Sequence, residues 1–78
     1  MDDKTILDEL VACTDKSGDL DTGKFFSRNP KTAALTLALR RLSKDGYVTY
    51  ELDNDGIVND VDITELFLLG PCGFKKRV

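Results

Sequence analysis

Residues 34–64 read ALTLALRRLSKDGYVTYELDNDGIVNDVDIT, and within them the spacing of the apolar residues changes. In the first part Ala34, Leu35, Ala38, Leu39 and Leu42 recur at three- and four-residue steps. At about 100° per residue these five share one side of a helix. Ala33, Thr36, Leu37, Arg40 and Lys44 fall on the opposite, exposed side, with Arg41 at the boundary. Asn29 suits the N-cap of this helix and Pro30 its first position. The helix is expected to run to about Asp45, with Gly46 as its C-cap. After Gly46 the period drops to two. Val48, Tyr50 and Leu52 alternate with Tyr47, Thr49 and Glu51. Asp53-Asn54-Asp55-Gly56 is a turn sequence whose glycine can take positive φ. Ile57, Val61 and Ile63 then alternate with Val58, Asp60, Asp62 and Thr64. A helix followed by a β-hairpin is the expectation.

Working outward, residues 4–13 carry Ile6, Leu7, Leu10 and Val11 in one apolar stripe, so a helix capped by Asp3 is expected there. Residues 14–23 are rich in Gly, Asp, Ser and Thr and read as a loop, with a short turn of strand or helix near Leu20. A short second helix from about Asp21 to Ser27 would bring Phe25 and Phe26 into the core. Leu66, Phe67, Leu68 and Leu69 form a short apolar run that fits either a strand or a helix. Residues 71–78 read as a loosely ordered tail. The division is therefore one domain over residues 1–70 and a tail over 71–78.

The chain has 78 residues and a hydrophobic fraction of 41%, which is enough for one small folded domain. No apolar run approaches the roughly 18 residues that span a bilayer. The acidic N-terminus has no long apolar block, so a cytoplasmic location is expected. The two cysteines, Cys13 and Cys72, form no CxxC pair, which argues against a zinc site, and a bridge between them cannot be read from sequence. Histidine is absent. That removes the commonest general base and metal ligand, so no enzyme, cofactor or metal centre is expected.

The net charge of −3 is strongly segregated. Residues 1–21 hold seven acids and two bases, and residues 45–65 hold seven acids and no base. Between them, residues 22–44 hold six bases (Lys24, Arg28, Lys31, Arg40, Arg41 and Lys44) and no acid. Potentials act by patch, so an acid-free segment in an acidic chain marks a face for use. The plainer account is that these bases pair with their acidic neighbours.

The order helix, short helix, longer helix ending in glycine, then hairpin resembles the winged helix-turn-helix domains, over about residues 3–65. Leu35, Leu39 and Leu42 match the apolar spacing of that family's recognition helix. Asp45-Gly46-Tyr47-Val48 matches its lead into the wing, and Ile63-Thr64 the close of the second wing strand. The resemblance implies an α+β fold, a small winged helix with a three-helix bundle followed by a β-hairpin wing. It also implies a DNA-binding protein of transcriptional or plasmid/phage regulation, whose third helix lies in the major groove. By position, base-facing roles would fall on Lys31, Thr32, Ala33, Thr36, Leu37 and Arg40. Phosphate contacts would fall on Lys24, Arg28, Arg41 and Lys44. In this family the segment after the wing often forms dimers, so a homodimer through residues 66–69 is expected.

Two departures from the pattern define the alternative. Ala33 and Leu37 stand where Arg, Asn or Gln often read bases. The wing carries Glu51, Asp53, Asp55, Asp60 and Asp62, which would repel phosphate. Both features suit a protein-interaction module of the same fold. A second alternative rests on residues 51–62, which resemble an EF-hand or dockerin calcium loop. Glu51, Asp53, Asp55, Gly56, Val58 and Asp62 would take loop positions one, three, five, six, eight and twelve.

Overall fold

The computed structural model describes residues 2–73, which form an α+β domain in the order α1 (Asp3–Ala12), α2 (Thr22–Arg28), α3 (Ala33–Lys44), β1 (Val48–Leu52), β2 (Val58–Ile63) and α4 (Glu65–Leu69). Only the first three residues of the expected tail, Pro71 to Gly73, lie within this span. Residues 74–78 lie outside the described residues.

The side chain of Asp2, one residue before the expected cap, accepts from the Lys4 amide and starts α1, which buries Ile6 and Leu10. The α1–α2 connection is held by a single bridge between Thr14 and Leu20, around a turn in which the Asp15 carboxylate accepts from the amides of Ser17 and Asp19. Asp21 caps α2 through the Lys24 amide. Phe25 is buried and meets Phe26 edge-on at 5.3 Å between ring centroids.

The helix α3 starts at Ala33, not at Pro30. Asn29 has another task. Its amide nitrogen donates to Glu9 Oε1 at 3.2 Å and to the Phe25 carbonyl at 3.1 Å, so it terminates α2 and ties that end to α1. Thr32 takes over as N-cap, its hydroxyl accepting from the Leu35 amide. At its far end α3 stops at Lys44 with Asp45 as the C-cap, one residue before the expected Gly46, which follows the cap: Gly46 takes φ +86°, its amide donates to Ser43 O, and the Tyr47 amide donates to Leu42 O. These two bonds satisfy carbonyls that a helix end otherwise leaves open.

The buried face of α3 is turned from the one expected. Leu35, Ala38, Leu39 and Leu42 are core, but Ala34 is exposed and Thr36 is buried. The cause lies in the hairpin. β2 lies against α3, and the amide of Val58 needs a partner there. The Thr36 hydroxyl supplies it, accepting from Val58 N at 2.8 Å while donating to Thr32 O at 2.8 Å.

The hairpin strands pair antiparallel, but their register shifts between Glu51, opposite Asp60, and Leu52, opposite Val58. Asn59 is therefore an extra residue, a β-bulge, and a bulge resets which side each residue faces. That is why Val58 and Val61 are both buried although three residues apart, and why the strict alternation placing Val58 on the outer side fails. Leu52, expected inside, is 42% exposed.

Residues 66–69 belong to a helix, not a strand. Thr64 caps it, and the Thr64 hydroxyl donates to Gly46 O. The Thr64 amide also donates to Tyr47 O, so the start of α4 is fastened to the end of α3. Phe67 is fully buried and belongs to the same core cluster as Ile6, Leu10, Phe25, Leu39 and Val48.

Candidate partner-binding face of the third helix

The ten cationic and helix residues singled out by sequence separate into three groups. Ala33, Leu37 and Arg40 lie on the exposed side of α3, with Lys44 at its C-terminal end. Leu37 is 52% exposed, the one large aliphatic side chain of α3 that the core does not take up. Lys31 and Thr32 precede the helix. The Lys31 ammonium sits 4.8 Å from the centroid of the Phe26 ring, and Thr32 is occupied as the cap. Lys24 is exposed on α2.

The second group is Arg28 and Arg41. Each reaches an acid on α1: Arg28 to Glu9 Oε2 at 2.9 Å, Arg41 to Asp3 Oδ1 at 2.8 Å. The hydrogen bond to Asp3 also raises the Arg41 pKa above its ordinary value. Exposed pairs of this kind contribute little stability. Their effect on an incoming phosphate is larger, because each cation now presents a neighbouring carboxylate with it. This is the plainer account of the acid-free segment, and it holds for two of its six bases. Partners 19 and 38 residues away along the chain leave no local signal.

The third group is Thr36 alone. At 6% exposure, with both lone pair and proton used inside the fold, it cannot reach a base edge or any other ligand. This burial does not fit the base-facing role expected of Thr36. The one sequence signal was a hydroxyl between Leu35 and Leu37, which periodicity alone assigned to the outside.

Beside α3 stands the hairpin, with Glu51, Asp53, Asp55, Asp60 and Asp62 all exposed. Glu51 lies directly opposite Asp60, and Asp62 opposite Thr49. Like charges facing each other across a ladder destabilise it. Asp53 is a turn residue, its carboxylate accepting from the amides of Asp55 and Ile57. Residues 51–62 are those of the alternative calcium loop. These residues make strand, turn and strand, and among the described residues no group of three or more His, Cys, Asp or Glu is placed to hold a metal ion.

Both thiols are free. Burial raises the pKa of Cys13 and of Cys72, so each is held as the protonated, weakly nucleophilic form. Leu66 and Leu69 of α4 are 52% and 42% exposed. Among the described residues no helix is long and apolar enough to cross a membrane.

Compared with protein-family profiles, curated proteins and solved structures, the chain matches none. The functional reading therefore rests on the geometry above.

Proposed function

We propose that the exposed face of α3 is a docking surface for a protein partner, on a domain of winged-helix type. Leu37 is the apolar anchor, and Arg40 and Lys44 flank it as cations. The observation that carries this reading is the half-exposed Leu37 within an acid-free helix face, next to a hairpin that bears five exposed carboxylates. An aliphatic side chain loses its water contact on association whatever the salt, while a charged rim orients the partner.

DNA binding is the second reading, favoured by the absence of any carboxylate from residues 22–44. Under it, Lys31, Thr32, Ala33, Leu37 and Arg40 face the groove, and Lys24 and Lys44 meet phosphates. Lys24, Lys31, Arg40 and Lys44 make no ion pair among the described residues, so about four phosphate contacts are available. Four contacts give a salt slope near −3.6, or roughly a hundredfold loss of affinity between about 50 and 200 mM salt.

Binding to random-sequence duplex DNA at two salt concentrations separates the readings. No binding at low salt supports the protein surface. Binding that falls off with this slope overturns it.

A further inference from the structure

We infer that the occupant of the α3 face is a second copy of this chain, whose acidic hairpin lies against Leu37, Arg40 and Lys44. The inference rests on the protein-docking reading above and names its partner. It comes from charges that the fold leaves unmatched. Asp3, Glu9 and Asp8 on α1 are each paired with Arg41, Arg28 or Lys4. Arg40 and Lys44 pair with none of the described carboxylates, and no described ion pair reaches the hairpin. One molecule thus carries an unmatched basic strip and an unmatched acidic strip.

The two strips are complementary in more than sign. Leu37 is half-exposed beside the two cations, while Leu52, paired with Val58 at the end of β1, lies on the hairpin side opposite Glu51 and Asp60. The carboxylates of Glu51 and Asp55 accept no hydrogen bond among the described residues. Asp60 and Asp62 accept only from the amide that follows each of them. Glu51 and Asp60 face each other across the ladder, so a guanidinium or ammonium placed between them relieves a repulsion already present in the monomer.

A two-fold axis uses both strips twice. The helix of each copy meets the hairpin of the other, and nothing is left over to propagate a chain of molecules. The strips are short. A twelve-residue helix is about 18 Å long and a six-residue strand about 20 Å. The contact therefore belongs with small, weak interfaces, and the dimer dissociates on dilution.

Sedimentation equilibrium at about 20 and about 500 mM salt tests this. A dimer that forms at high micromolar protein and loses at least tenfold in affinity at the higher salt is expected. Arg40→Glu alone and the pair Glu51→Lys with Asp60→Lys should each leave a monomer of unchanged melting behaviour. Mixing the two variants should restore a dimer, because position 40 of one copy then meets opposite charge on the other, and the second contact is native. A monomer at low salt and high concentration overturns the inference. It leaves the docking reading standing, since the duplex DNA result decides that separately. Association that survives these charge reversals but is lost in Leu66→Lys with Leu69→Lys also overturns it, in favour of contact through α4.

Discussion

Thr36→Val isolates one buried hydrogen bond, because valine keeps the shape of threonine and removes only the hydroxyl. In the native fold that hydroxyl accepts from Val58 N at 2.8 Å and donates to Thr32 O at 2.8 Å. Loss of the second bond is mild, since Thr32 O still accepts from the Thr36 amide at 3.0 Å. Loss of the first is not. Val58 is fully buried, and its amide would have no partner where water cannot reach. An orphaned buried donor costs about 1–3 kcal/mol. For a domain of this size that is roughly 5–20 °C in melting temperature. It is also a large part of a total stability of about 4–12 kcal/mol. Thr36→Ser retains the donor and acceptor and loses one methyl, so it should cost only about 1 kcal/mol. Urea unfolding followed by circular dichroism measures both, and hydrogen exchange at the Val58 amide reports the bond itself. A valine variant as stable as the wild type, or a Val58 amide still fully protected in it, would refute the assignment of Thr36 to the helix–hairpin joint.

Leu39 is fully buried, so Leu39→Ala should lose about 2–5 kcal/mol by urea unfolding, while Leu37→Ala, at the exposed side of the same helix, should lose under about 0.5 kcal/mol. Millimolar Ca²⁺ should leave the melting temperature unchanged, and a rise of several degrees would show that residues 51–62 rearrange to bind it. Burial raises the Cys13 pKa, which means the folded state holds the thiol proton more tightly than the unfolded chain. The associated stability is fully present below the ordinary thiol value of about 8.5 and is lost as pH rises toward the folded value. Unfolding measured from pH 7 to 10 should show this loss, and Cys13→Ala should reduce it to what Cys72, whose pKa burial also raises, contributes.

The helices and the hairpin were legible wherever the signal was local. Gly46 marked the end of α3 because only a residue tolerant of positive φ closes a helix that way. The leucines at 35, 39 and 42 marked its core side because their spacing matches the turn. The errors share a different origin. Asn29 is a good N-cap in isolation, but Glu9, 20 residues earlier, holds its side chain. Val58 fell on the wrong side because the bulge at Asn59 changes the count, and a bulge has no fixed sequence mark. Periodicity places Thr36 outside because its partner, the Val58 amide, comes from another element. For the candidate face, Leu37, Arg40 and Lys44 were legible as exposed. The capture of Arg28 and Arg41 by α1 was not, since it depends on how two helices are placed.

That capture divides the acid-free segment into two problems. Arg28 and Arg41 need no external partner to explain them, because the acids of α1 lie beside them. A carboxylate elsewhere in residues 22–44 would compete for the same arginines, so packing α1 against α3 already disfavours some acids there. It does not disfavour an acid at position 40 or 44, where the side chains are exposed and make no ion pair among the described residues. Under the proposed docking surface, the exclusion at those positions acts outward, toward the partner that meets Leu37. A duplex backbone drawn to Arg40 and Lys44 would be repelled by the hairpin carboxylates wherever it passed within roughly 8–10 Å of them. A ligand carrying both an acidic edge and an aliphatic side chain avoids that conflict when its acidic edge meets only the helix. A protein surface can be shaped that way, and a nucleic-acid backbone, charged at every step, cannot.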